Sequence, residues 1–250
     1  MKQIVGVTVT PRTVAHWLMK GVKLPLFLLV LLTLILAAGR RAYAQDVQYA
    51  AAIKDAAVYQ QSHVHELVPL APDKDDNVAV VTLTNYTGYQ TGWTQLSQDV
   101  WVTQVPQVKD ICRTFPPQEL QLDLRKLLGL PPDKPETNFV VFSSSAQSLF
   151  RPTPDPNTST KYPCGDNIVA NCGNQFPAGA TDNHKAWIAF QSLSSFQIPG
   201  GYPWTHLGYT YYWGHGVEIF GPSEYVIRSG SWVRVSEIVP IKEYCASIPR

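Results

Sequence analysis

Residues 106–128 read PQVKDICRTFPPQELQLDLRKLL, and whether that stretch is helix or strand decides the fold class. Leu120, Leu124, Leu127 and Leu128 recur at the three- and four-residue steps that bring side chains onto one helix face. Asp123, Arg125 and Lys126 fall on the side turned to water. Pro106 suits the first turn of a shorter helical piece running through Val108 and Ile111 to Arg113, since a proline there gives up no needed N–H. Pro117 and Glu119 suit the start of the second piece, and Gly129 with Pro131-Pro132 its stop. The spacing predicts helix. A strand here would remove the α from the class.

Around this segment the letters favour sheet. Residues 78–84 (VAVVTLT) and 138–143 (NFVVFS) are β-branched and aromatic runs, and 100–103 (VWVT) is a brief third. Residues 63–70 alternate enough for a strand, which the polar turn 73–77 would join to 78–84 as an antiparallel hairpin. Residues 207–213, 225–228 and 232–235 read as strands, with Ser229-Gly230-Ser231 marking a hairpin between the last two. Residues 185–196 are spaced nearer to helix. Residues 151–162 carry Pro152, Pro154 and Pro156 and open a long loop that runs to about residue 182. The expected fold is a single α+β domain: a mainly antiparallel sheet, a short helical segment packed on it, and a disulfide-stapled loop.

The N-terminus carries an address. Residues 24–38 (LPLFLLVLLTLILAA) are almost purely apolar, Lys20 and Lys23 precede them, and Ala42-Tyr43-Ala44 follows with small residues where a signal peptidase reads. The expectation is a secretory signal over residues 1–44 and a secreted or periplasmic domain over 45–250. Met19 opens a more compact signal than Met1 and is the expected start. The competing reading is an uncleaved membrane anchor; the apolar run is shorter than the roughly 20 residues of a spanning helix, which favours cleavage, and no stable membrane span is expected after it.

Removing Lys2, Arg12, Lys20, Lys23, Arg40 and Arg41 from the chain's 20 Lys+Arg leaves 14 against 19 Asp+Glu, a net charge of −5 for residues 45–250. A mildly acidic domain without a basic run is unsuited to nucleic acid or anionic membrane surfaces. All four cysteines lie in the exported part, and an even count in an oxidising compartment reads as two disulfides. Three pairings exist. The favoured one joins Cys164 to Cys172 around a short loop and Cys112 to Cys245.

Candidate functional residues fall into three groups. His63 and His65 would share one face of a strand and could begin a metal site, although a third ligand is missing and a bland surface role explains the same letters. Tyr209, Tyr211 and Trp213 would share a strand face, with Trp204 upstream in the Pro/Gly-rich segment 199–203 and expected to be exposed. They could form a ligand-stacking platform or simply core packing, of which core is the commoner use of such residues. Glu218 and Glu224 flank Gly221-Pro222 and could pair as acid and base in glycoside hydrolysis, which needs two carboxyl groups about 5–10 Å apart. No nucleophile elbow, zinc-protease or phosphate-loop motif is present, and no cofactor is expected. The reading these features support is a non-catalytic exported module that binds an envelope or extracellular protein or a glycan. The alternative is an exported hydrolase of glycan or another polymer, using the acidic residues near the aromatic segment 202–225.

Overall fold

In the computed structural model, which describes residues 26–216 and 218–246, the β-branched run 77–84 forms β1 (Asn77–Thr84). Further strands are β2 (Gly92–Gln95), β3 (Val100–Gln104), β4 (Asn138–Ser145), β5 (Leu149–Phe150), β6 (Tyr209–Tyr211), β7 (Phe220–Ile227) and β8 (Trp232–Pro240). Helices are α1 (Leu26–Ala56), α2 (Gln107–Cys112), α3 (Leu120–Leu127), α4 (Asp182–Ser195) and α5 (Ile241–Ala246). Every strand pairing is antiparallel, in the order β2-β8-β4-β1-β3-β7-β5 with β6 added to β7. The fold is α+β, and the deciding segment is helical: Leu120, Leu124 and Leu127 are buried along α3. Its charges, expected to face water, are largely covered and paired, Lys126 with Asp123 at 2.9 Å and Arg125 with the buried Glu136 at 3.5 Å.

The sheet must coil. A chain reaches at most ~18 Å between Ile227 and Trp232, yet in a flat sheet β7 and β8 would lie about 19 Å apart with three strands between them. The link is shorter still, because Ser231 N–H returns to Arg228 O in a turn at Gly230 (φ 82°). Coiling brings Val78, Val80, Val102, Phe142, Tyr225 and Val235 from five strands into one inner core. Their neighbours in sequence point the other way, as the period-two alternation of strands requires. On this outer face Val81 and Phe139 pack against Val108, Leu124 and Tyr244 of α2, α3 and α5. The Cys112–Cys245 disulfide ties α2 to α5 in the same layer.

Two expected elements are different in the structure. Residues 63–70 are not a strand. Residues 61–63 form a 3-10 turn, and the following N–H groups bond outside any ladder: Leu67 to Lys161 O, Leu70 to Thr158 O, Val68 to Ser223 Oγ. Pro69 and Pro72, which have no N–H to give, suit this irregular course. The second correction concerns Ser229-Gly230-Ser231, which is a tight turn but not a hairpin. β7 is flanked by β3 on one side and by β5 and β6 on the other, and β8 by β2 and β4.

The long loop is stapled twice. Cys164–Cys172 closes its middle. Arg151, fully buried, donates Nε–H to Asn157 O and Nη2–H to Thr158 O and Thr160 O, with Tyr225 5.3 Å away under the guanidinium. Burial lowers the guanidinium pKa from its ordinary value.

The chain divides into two compact units, Met1–Ala44 and Gln45–Arg250. Met19, with the rest of residues 1–25, lies outside the described residues. Leu28 to Ala44 is helical and exposed throughout. The helix outruns the apolar letters because the alanine-rich stretch 42–56 continues it, and over Leu28–Ala56 it is long and apolar enough to cross a membrane, at mean hydropathy 1.3. A signal sequence near an N-terminus has the same character. In the second unit, Tyr49, Ala52, Ile53 and Ala56 repeat at helical spacing and pack on Leu207, Tyr209, Tyr211 and Trp213.

Candidate functional site

β7 pairs with β3 so that Thr103 stands opposite Glu224, Val102 opposite Tyr225 and Trp101 opposite Val226. Tyr225 enters the inner core, so Glu224 is carried to the outer face together with Thr103 and Trp101. There the outer layer does not close. A cavity of about 380 Å³ lies over the sheet, floored by Val81, Leu83, Trp101, Thr103, Phe139 and Glu224. Its cover is the end of α3 with Gly129 and Leu130, Gln191 and Ser195 of α4, and Tyr202, Trp204 and Tyr211. The volume is in the range of small-molecule sites.

Local chemistry explains how the cover is held. Thr181 caps α4 by accepting His184 N–H on its hydroxyl. After α4 the chain folds back so tightly that Tyr202 N–H donates to Ser195 O and Gly201 N–H to Gln197 O. A Cβ on Gly201 would collide with the Ser195 carbonyl, so only glycine fits that approach. Trp204 is anchored by an indole N–H donated to Pro152 O and by rings of Trp101, Trp187 and Phe196 at 6.1–6.4 Å. Trp187 in turn donates its indole N–H to Asp99 at 2.7 Å.

Against these satisfied groups, the floor has two polar atoms that are not. Glu224 is 8% exposed, and its Oε1 has no hydrogen-bond partner among the described residues. The same holds for Thr103 Oγ1 across the strand pair. Burial alone pushes the Glu224 carboxyl well above its ordinary range, because no cation offsets the cost of removing the charge from water. Among the described residues that line the cavity none is Lys, Arg or His, and Glu224 is the single carboxyl.

The residues singled out from sequence separate here. Glu224, Trp204 and Tyr211 meet at the cavity. Trp204 is 4% exposed, a correction to the expectation of an exposed ring, since the Pro/Gly segment before it folds under α4 rather than over the surface. Tyr209 and Trp213 are buried away from it. Tyr209 donates its hydroxyl to His63 O, and Trp213 donates its indole N–H to Leu130 O. Tyr211 donates to Asp55 Oδ2 at 2.8 Å, and burial raises its phenol pKa. An open stacking platform of these rings is therefore replaced by core packing with one edge on a cavity. Glu218 lies apart on the surface, its side chain 75% exposed and 3.9 Å from His215.

His63 and His65 do not converge. His63 lies 3.9 Å from Asp55, whereas His65 stacks on Phe220 at 4.3 Å. Among the described residues no group of three or more His, Cys, Asp or Glu side chains gathers as a metal site would require. The sequence does not single out Trp101, Thr103, Gln191 or Ser195, whereas Tyr202 opens the aromatic segment 202–225. Alternation along VWVT does put Trp101 and Thr103 on one face, but their partnership with Glu224 needs the β3–β7 register, which no local pattern carries. No protein-family model, no curated protein and no solved structure matches the chain.

Proposed function

We propose that residues 45–250 form an exported, disulfide-bonded binding protein that takes a small, mainly apolar molecule into the cavity over Glu224. The observation that carries this reading is the pairing of an apolar-walled 380 Å³ space with a buried carboxyl whose Oε1 has no hydrogen-bond partner among the described residues. A buried polar group without a partner costs stability, and a site that must recognise a polar atom on a ligand is where such a group is put to use. The exported setting fits the apolar N-terminal helix and the two disulfides.

A glycan-cleaving enzyme is the weaker reading. Two carboxyl groups about 5–10 Å apart would be required, and the lining has one. A mainly apolar recess of this volume also suits a small ring-bearing molecule better than a polymer.

The test is titration of the full chain with N-phenyl-1-naphthylamine, a neutral probe that fluoresces in apolar sites. Saturable binding at one site is expected, lost when Leu83→Trp fills the chamber. Absence of saturable binding, or binding untouched by that substitution, would refute the reading.

A further inference from the structure

Resting on that reading, we propose that the molecule held is an organic amine on an aromatic or similarly apolar body, its ammonium set between the Glu224 carboxylate and Thr103 Oγ1. Three observations point the same way. The acceptor is placed and unanswered: Glu224 Oε1 and Thr103 Oγ1 sit on directly paired strand positions without hydrogen-bond partners among the described residues. Paired positions bring such side chains within about 5.5 Å at Cβ, a gap one ammonium with its three N–H donors can bridge. Second, the charge in the lining is one-sided, because among the described residues that line it Glu224 is the single carboxyl and none is Lys, Arg or His. An anionic ligand would meet only an acid, whereas an amine brings the missing countercharge. Third, the remaining walls carry Trp101, Trp204, Tyr202 and Tyr211, the ring types whose faces attract cations.

The proton balance is simple. An amine arriving as free base takes the Glu224 proton, and one arriving as ammonium displaces that proton to solvent. Either way the bound state is ammonium against carboxylate, and the other titratable side chains in the lining are the phenols Tyr202 and Tyr211. The neutral alternative, a carbonyl or hydroxyl ligand facing a protonated Glu224, leaves the aromatic faces without a charge to attract.

Three probes of nearly equal body separate these cases: 2-phenylethylamine, 2-phenylethanol and 3-phenylpropionate, titrated calorimetrically into the full chain near neutral pH. The amine is expected to bind at least about tenfold more tightly than the alcohol, the scale of one charge-assisted contact with an aromatic face. The acid should bind weakest. In Glu224→Gln the amine should fall to the alcohol's affinity while the alcohol changes little. Thr103→Val should weaken the amine alone, by a few-fold. Equal affinity of alcohol and amine, tightest binding of the acid, or a Glu224→Gln variant that keeps the amine preference would each overturn the amine. If the neutral naphthylamine probe binds and phenylethylamine does not, the amine proposal fails and the cavity reading stands. If neither binds, both fall.

Discussion

The two faces of the coiled sheet are built from alternate residues of the same strands and come out differently. On the inner face Val102, Phe142, Tyr225 and Val235 interlock, and even the one phenol among them is satisfied, its hydroxyl donating to Val68 O. One residue away on β3 and β7, Thr103 and Glu224 turn outward to a chamber and have atoms with no hydrogen-bond partner among the described residues. Both faces are fed by identical backbone geometry, so strand formation does not explain the contrast. Closure does. The inner face closes on itself when the sheet coils, whereas the outer face depends on separate helices and on the return of segment 202–211, which meet without filling the space. One face closes on itself; the other leaves a chamber and two buried polar atoms without partners among the described residues.

The largest expected effect tests how the outer layer is held. Cys112 and Cys245 lie in it, 133 residues apart in sequence. On the loop-entropy argument, Cys112→Ser should cost up to about 5 kcal/mol, against about 2.5 kcal/mol for Cys172→Ser in the short loop. Denaturant unfolding of the two variants measures the difference. A costlier Cys172→Ser would mean that the stapled loop, not the helical layer, is the main covalent restraint.

Next comes the filled face itself. Phe142→Ala should cost roughly 3–5 kcal/mol, since the surrounding inner core cannot collapse into the void. Leu83→Ala on the outer face should cost clearly less, because that side chain already borders empty space. Thermal melts of the pair decide. Similar losses would show that the outer face is packed as tightly as the inner.

These contrasts also explain how much was legible in the letters. Runs such as VAVVTLT and NFVVFS, and the leucine spacing of α3, carry their structure locally, whereas the cysteine positions allow three pairings and do not choose among them; the favoured one is present. Glu224 was visible as an acid beside aromatic residues, but its burial was not. Whether a carboxyl on a strand meets water depends on what packs over that face, and the β3–β7 pairing that sets Glu224 beside Thr103 joins residues more than 100 positions apart. Trp204 was misjudged for the same reason: Pro and Gly mark an irregular path, yet they say nothing of what covers it. The false hairpin at residue 230 shows the limit of turn signals, since the turn is real and both its strands are claimed by other partners.

Smaller, and opposite in sign, is the effect of relieving Glu224. Its carboxyl titrates well above the unfolded 4.5 in the folded chain, so the folded state holds its proton over a pH range in which the unfolded chain has lost it. Stability from this group is therefore intact below pH 4.5 and declines as pH rises toward the folded pKa. Glu224→Gln should gain about 1–3 kcal/mol at neutral pH, and the gain should shrink on acidification toward pH 4.5. Melting curves of both proteins from pH 4 to 8 read it directly. A gain that does not vary with pH would mean the carboxyl is not the source. His184 and His206 are shifted the other way by burial, below their ordinary 6.5, so both proteins should also lose stability as pH falls under that value. That shared loss cancels in the difference between them.

The smallest effect is the sharpest test of the contrast, because it compares adjacent residues. Thr103→Val keeps shape and removes, from a residue 5% exposed, a hydroxyl whose oxygen has no hydrogen-bond partner among the described residues. It should raise stability by up to about 1 kcal/mol, since the group removed was unpaired in the fold and hydrated in the unfolded chain. Val102→Thr makes the reverse change one residue earlier, where the side chain faces Phe142 and its neighbours rather than the chamber. It should lose stability, having placed a hydroxyl where no acceptor waits. The two variants have matched changes in volume, so packing cancels to first order and the sign reports polarity alone. If Thr103→Val is destabilising, its hydroxyl has a partner in solution and the outer face is better satisfied than the contrast requires. If both variants are neutral, the inner face is wetter than its burial suggests. Opposite signs would establish that adjacent residues of one strand stand in different surroundings, one in a closed core and the other at the edge of a chamber.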